Sequence, residues 1–227
     1  MQLPVWSYTN LNDYVTCPKR FWHKHASRDC PVEIKSQAQM DGIAVHDALK
    51  KRIKLREPLP QQFKEHEAIC AQIDLNDSVK HVEMALGMTE DGQPCDFFAK
   101  NVWFRGRADL VLTRPHDPDF GVAALLIDWK TGKVWEDPTE LRYQALLLRA
   151  AWPELKLVKG FYVWLRTGER GQIHDCSDTV KTWTDLHKTV DSIQRRFTAG
   201  DWPADDGPLC GWCPVSKDQC EHRRDPK

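Results

Sequence analysis

The chain has 227 residues, 41% of them hydrophobic, with a formal net charge of −1 at pH 7. That apolar content supports one substantial core, so a single domain with embellishments is expected over two equal domains. The near-zero charge excludes a globally basic surface but allows a local basic groove, and the longest apolar runs, such as Val122 to Ile127, are far too short to cross a bilayer.

The opening Met-Gln-Leu-Pro-Val-Trp-Ser lacks the basic and apolar regions of a signal peptide. A cytoplasmic setting without membrane attachment is expected. There the eight cysteines read as metal ligands sooner than as disulfides. Ser7 to His25 is predicted helical, with Leu11, Tyr14 and Val15 on one face and Pro18 as an interruption. Ser36 to Arg56 is a stronger helix. Its Ile43, His46, Leu49 and Ile53 recur at helical spacing and are expected to share a face. Lys50, Lys51, Arg52, Lys54 and Arg56 add a basic cluster, for which a solvated face is the simple reading. Glu57-Pro58-Leu59-Pro60 ends that helix, and a short one covers Gln62 to Gln72.

Candidate strands follow at Val79 to Leu86, Phe97 to Phe104 and Arg107 to Thr113, with Gly106 as a bulge marker between the last two. Arg114 to Gly121 reads as a turn-rich connection, and Val122 to Trp129 as the next strand. Pro138 to Trp152 is predicted helical, with proline at its first turn. Leu157 to Leu165 and Gln172 to Cys176 are strands joined by a turn at Gly168 to Gly171, and Thr179 to Ala199 is a long helix. From Gly200 onward Pro, Gly and Cys dominate, so this tail needs something other than a core to order it.

Two acidic residues stand out. If the strands flanking Arg114 to Gly121 pair, Asp109 and Asp128 arrive at similar heights. Side chains alternate along a strand, so Asp128 and Lys130 face one way and Trp129 the other. A carboxylate at the end of the apolar run Ala-Ala-Leu-Leu-Ile is costly unless paired or functional. Two carboxylates suit a Mg²⁺ ion that activates water, and an ammonium suits developing charge. An ordinary surface Asp–Lys pair is the bland alternative.

Cys210-x-x-Cys213, then Cys220, supplies three thiols for a metal or cluster. The fourth ligand is His222 if the site is a zinc finger, or Cys17 or Cys30, near the other end, if it is an iron–sulfur cluster.

Gly106-x-x-Asp109 followed by Asp128-x-Lys130-Thr131-Gly132, with Gly42-x-x-x-His46 upstream, resembles the RecB-like branch of the PD-(D/E)XK nucleases. The resemblance implies an α/β, restriction-endonuclease-like fold: a mixed sheet flanked by helices. It implies Mg²⁺ or Mn²⁺ on His46, Asp109, Asp128 and the Trp129 backbone carbonyl, with Lys130 catalytic. Tyr143-Gln144 resembles the branch's glutamine helix, so Gln144 contacts substrate or braces the site. Leu148 stands where a tyrosine is expected. Glu83 resembles an acidic residue seen before the Gly-x-x-Asp strand.

Cys17 with Cys210, Cys213 and Cys220 resembles the cluster-bearing members, including the AddB subunit and the CRISPR-associated adaptation nucleases. That implies a [4Fe–4S] cluster clasping the termini into a cap. Residues 1–227 then form one nuclease domain, with an N-terminal cap 1–35, a core 36–199 and a cysteine tail 200–227. The implied activity is metal-dependent DNA exonuclease action on single-stranded or frayed ends, with DNA as partner. Recombination or CRISPR-adaptation proteins are further expected partners, and the chain would associate with the nucleoid when bound to DNA. The alternatives are a non-catalytic DNA-end-binding adaptor and a zinc-clasped RNA nuclease.

Overall fold

The computed structural model describes residues 2–31, 36–117 and 121–225. They group into two compact units, Lys35–Thr182 and Met1–Ile34 with Trp183–Lys227.

The larger unit is built on a mixed sheet. Helix α3 (Gln37–Leu55) starts at a capping box: Ser36 Oγ accepts from the Gln39 N–H, and Gln39 Oε1 accepts from the Ser36 N–H. A 3₁₀ turn (Gln61–His66) leads into α4 (Glu67–Asp74). Strands β1 (Val79–Met88), β2 (Pro94–Cys95), β3 (Phe104–Asp117), β4 (Gly121–Lys130), β5 (Leu155–Trp164), β6 (Glu169–Arg170) and β7 (His174–Asp175) follow, with α5 (Thr139–Ala151) between β4 and β5. The order is β2-β1-β3-β4-β5-β6, with β7 also on β5. The pairs β1–β3 and β3–β4 are antiparallel and β4–β5 is parallel, so α5 is the crossover of a βαβ unit.

Val45, Ala48, Leu49 and Ile53 of α3 and Cys70 and Ile73 of α4 share a core with Leu110, Leu112, Ile127, Trp129, Phe161 and Val163 of the sheet. The buried face of α3 therefore passes through Val45 and Ala48, and Ile43 is exposed, contrary to the shared face expected of it. Helix α5 lies close against the sheet at two glycines. A Cβ on Gly106 would meet Leu147, and one on Gly160 would meet Leu141 and Leu126. Gly106 pairs with Leu86 in unbroken register, so it marks this close approach and not the expected bulge. Phe97 to Trp103 does not join the strand: turns bonded Ala99 N–H to Asp96 O and Val102 N–H to Ala99 O carry it instead. The connection expected over Arg114 to Gly121 is strand as far as Asp117, and its positions 118–120 lie outside the described residues.

In the smaller unit, α1 (Tyr8–Thr16) begins at a Ser7–Asn10 capping box and stops where Cys17 turns extended. Pro18 then opens the short α2 (Pro18–Phe21), followed by a π turn at Trp22–Ala26. Asp13 is buried and its carboxylate is bound by His25 Nε2 at 2.7 Å, Arg20 Nη2 at 2.8 Å and Lys24 Nζ at 3.1 Å. Most of the long helix α6 (Thr179–Ala199) belongs here, and Tyr14 Oη lies 2.7 Å from Ser192 Oγ and accepts from Arg196 Nε.

The expected iron–sulfur-clasped cap is corrected by this unit. Cys17, Cys210, Cys213 and Cys220 line one cavity of about 160 Å³. Among the described residues, however, no three of their sulfurs lie within 4.8 Å of one another, and the group that does meet that distance is made of His46, Glu83 and Asp109. The same finding removes the zinc finger completed by His222. Cys17 Sγ accepts from the Asp205 N–H, Cys210 Sγ donates to the Asp205 carbonyl, and burial pushes the Cys213 thiol up, toward its protonated form. The tail is ordered by other means. Trp202 stacks on Trp22 and Phe21, Val215 is buried, and Lys19 Nζ lies 2.7 Å from Glu221. Arg223 Nη1 donates to the carbonyls of Cys210 and Gly211, and Arg224 Nη2 to that of Gly207. Cys30, the rival fourth ligand, has its thiol pushed up to about 11 by burial.

No helix of the described residues is long and apolar enough to cross a membrane.

Candidate metal centre and its lysine

Strand register assembles the site. Leu110 pairs with Ile127 across β3 and β4, so the next step brings Asp109 opposite Asp128. The backbone closes this step with a side chain, as the Trp129 N–H donates to Asp109 Oδ2 at 2.9 Å. Across β1 and β3 the pairs Val82–Leu110 and Met84–Ala108 flank Glu83, which therefore stands opposite Asp109. Glu83 is left-handed, at φ 54°. That conformation costs a side-chain-bearing residue about 1–2 kcal/mol. Strain of this kind concentrates where a side chain must be aimed.

Helix α3 supplies the third group. His46 Nδ1 lies 3.6 Å from Asp109 Oδ2. One atom each from His46, Glu83 and Asp109 come within 4.8 Å of one another. They line a cavity of about 620 Å³ together with Gly42, Lys50, Arg107 and Thr131. Gly42 has a spatial reason to be glycine, since a Cβ there would stand 3.1 Å from Thr131 Oγ1.

Asp128 is 3% exposed and turned toward α5. Its Oδ2 lies 2.7 Å from Lys130 Nζ, and its Oδ1 accepts from Gln144 Nε2 at 3.0 Å. Gln144 also donates to the Arg107 carbonyl and is buried, so it braces the strand ends. Lys130 Nζ bonds Glu140 Oε2 at 2.6 Å as well. The expectation missed Glu140. A signal for it existed, since it sits four residues before Gln144 and thus on the same helix face. Leu148, at the position of the absent tyrosine, is a fully buried core residue.

Charges in the site reinforce one another. Burial opposes charge on His46, but Asp109, then Asp128 and Glu83, hold its pKa above the ordinary value. Burial, then the Asp109 charge, pushes Glu83 up. Burial pushes Asp128 up to about 7 against the pull of Lys130, with Glu140 and Asp109 adding to the rise. Burial disfavours the Lys130 ammonium, yet Asp128 and Glu140 outweigh it and keep the amine charged. The result is a crowded set of acids short of positive charge. One imidazole nitrogen and two carboxylate oxygens at this spacing fit a divalent ion such as Mg²⁺ or Mn²⁺.

Acidic residues on adjacent strands, a lysine two residues after one of them and a helix-borne histidine, on a mixed sheet flanked by helices, define a nuclease-type fold with a candidate divalent-metal centre. Residues 74–221 match the model of the PD-(D/E)XK nuclease superfamily, and the chain belongs to that superfamily. No curated protein shows significant similarity to the sequence. Among solved structures, a candidate exonuclease from Eubacterium rectale is 16% identical, with a TM-score of 0.49, over 100% of this chain and 95% of that one. The protein SSO0001 is 12% identical, with a TM-score of 0.42, over 94% of this chain and 85% of that one.

Proposed function

We propose that the protein hydrolyses DNA phosphodiester bonds with Mg²⁺ or Mn²⁺, working from single-stranded or frayed ends. The observation that carries this reading is the convergence of His46, Glu83 and Asp109 beside the ion-paired Asp128 and Lys130. His46, Glu83 and Asp109 would hold the ion, with Asp128 and the Trp129 carbonyl at its margin. Such an ion neutralises phosphate charge and lowers the pKa of bound water. Lys130 brings a fixed ammonium to the charge that develops on phosphorus oxygens, and Gln144 fixes Asp128. A histidine ligand adds a donor without adding negative charge, which matters where a phosphate must approach two or three carboxylates. The basic side chains of Lys50 and Arg107 on the cavity rim suit the flanking phosphates.

The test uses end-labelled linear and closed circular DNA, each with Mg²⁺, Mn²⁺ or a chelator. Metal-dependent shortening of linear single strands, with little nicking of circles, is expected. Equal rates on closed circular duplex would sink the end-directed part. Asp109→Ala, Asp128→Ala and Lys130→Ala should each lower the rate at least about a hundredfold, the scale of losing a transition-state stabiliser. Near-parental rates in Asp128→Ala would sink the assignment of the site.

A further inference from the structure

The loop before β3 presents a feature that the metal centre does not use. Phe98 is 78% exposed. A lone exposed aromatic needs no explanation, but this one is part of a built arrangement. Its ring meets that of Phe97 edge-on, with centroids 4.9 Å apart. The Arg105 guanidinium lies 4.8 Å from the Phe97 centroid and 5.7 Å from that of Phe98. The Arg107 guanidinium lies 5.2 Å from the Phe97 centroid.

The loop that carries these rings is held in place. Arg105 Nη1 donates to the Phe97 carbonyl at 3.2 Å, and the Trp103 N–H donates to the Met88 carbonyl at 2.9 Å. Beneath it, a Cβ on Gly87 would stand 3.0 Å from the Cys95 carbonyl and 3.1 Å from that of Asp96. The rings are thus displayed by a close-packed support, which lowers the entropy cost of binding against them.

Charge identifies the occupant. Among the described residues neither Arg105 nor Arg107 forms a salt bridge, so neither guanidinium is tied to an acid at ion-pair distance. Two guanidinium groups over aromatic rings, with no acid at ion-pair distance, offer both a phosphate contact and a stacking surface. Arg107 also lines the cavity of His46, Glu83 and Asp109, so the aromatic patch is continuous with the metal centre.

From this we infer that Phe98, with Phe97, Arg105 and Arg107, forms a stacking platform for a base of the unpaired DNA strand whose phosphate lies in the adjoining cavity. The inference rests on the nuclease reading of that cavity and gives the site its preference for single strands. A duplex end with paired bases has no free base face to lay on Phe98. Loss of one stacked base lowers affinity by about one order of magnitude or more.

Binding, measured without divalent ion, separates this idea from the catalytic one. Fluorescein-labelled single-stranded oligonucleotide is titrated by anisotropy with the Lys130→Ala protein, and with the same protein carrying Phe98→Ala or Phe98→Trp. Phe98→Ala should weaken binding about tenfold, leave the slope of log affinity against log salt unchanged, and have little effect on a blunt duplex. Phe98→Trp should restore binding. The unchanged slope marks the loss as stacking and not phosphate contact. Unchanged single-strand affinity in Phe98→Ala, or an equal loss on blunt duplex, would overturn the platform. Absence of metal-dependent cleavage in the parent protein, with the Phe98 effect intact, would overturn the nuclease reading alone.

Discussion

Under the proposed function, Lys130 is the residue on which most of the local chemistry depends. It sits 2.7 Å from Asp128 and 2.6 Å from Glu140, so its ammonium is fixed by two acids from two different elements. Among the described residues Glu140 bonds the centre through the lysine, and its charge also bears on Asp128. Glu140→Gln keeps the shape but removes a charge, and the expected result is a fall in the cleavage rate of about tenfold, the low end for a group that orients a site residue. The loss should appear in kcat and leave KM little changed; a change confined to KM would assign Glu140 to substrate binding. Glu83 shows what the sequence could and could not reveal at this scale. Its acidity and its place before the Gly106-x-x-Asp109 strand were visible, whereas its left-handed backbone has no signature in an ordinary residue type, and its place opposite Asp109 follows from strand register. The facing of Asp109, Asp128 and Lys130 was legible because strand alternation is a sequence property. The separation of Asp128 from the triad was not legible, because it depends on which side chain wins the Asp128 carboxylate.

At the scale of elements, the helices and the sheet strands were readable from periodicity, and the errors have physical causes. Phe97 to Trp103 has strand-like composition, but its aromatic rings pair with arginines instead of entering a sheet. Gly106 was read as a bulge, yet its missing side chain makes room for Leu147 of α5. Gly106→Val should therefore reduce stability by about 1–3 kcal/mol through overpacking, measured by urea denaturation. An unchanged midpoint would mean that α5 moves freely on the sheet. In the smaller unit, burial resists ionisation of Asp13, but His25, Arg20 and Lys24 together hold its pKa below 3.8. A depressed carboxylate stabilises the fold above its unfolded pKa, and the contribution is lost as pH falls through the folded value. The Asp13 contribution should thus be intact at pH 5 and decline below about pH 3.8. Asp13→Asn should cost about 1.5–3 kcal/mol at neutral pH, since the half-buried Arg20, Lys24 and His25 lose the charge they bond to. Its penalty should shrink in acid, and a pH-independent penalty would show that charge is not its cause.

For the whole molecule, the most instructive correction concerns the cysteines. Spacing brought Cys17, Cys210, Cys213 and Cys220 to one cavity, but spacing says nothing about where each sulfur points or what the backbone offers it. The resemblance to cluster-bearing nucleases overreached at that step, while superfamily membership is carried independently by residues 74–221. The tail's docking through Trp202 and Val215 was also hidden, because two apolar residues do not make a periodic pattern. A metal that binds only the folded chain stabilises it by about 2.7 kcal/mol at a hundred times its Kd. For a chain of this size that is a rise in Tm of about 5–10 °C. Mn²⁺ should produce this rise in the parent protein, and His46→Ala should remove most of it. An equal rise in both would place the ion away from His46.

The lysine bridge has one more consequence, for competition among ions. Lys130 gives Asp128 a tethered monovalent counter-ion, present at a local concentration that no dissolved salt can match. Sodium or potassium would bring the same single charge and would first have to displace the tether, so neither gains by entering. Under the proposed metal reading, a divalent ion would settle on His46, Glu83 and Asp109 and leave Asp128 to its lysine.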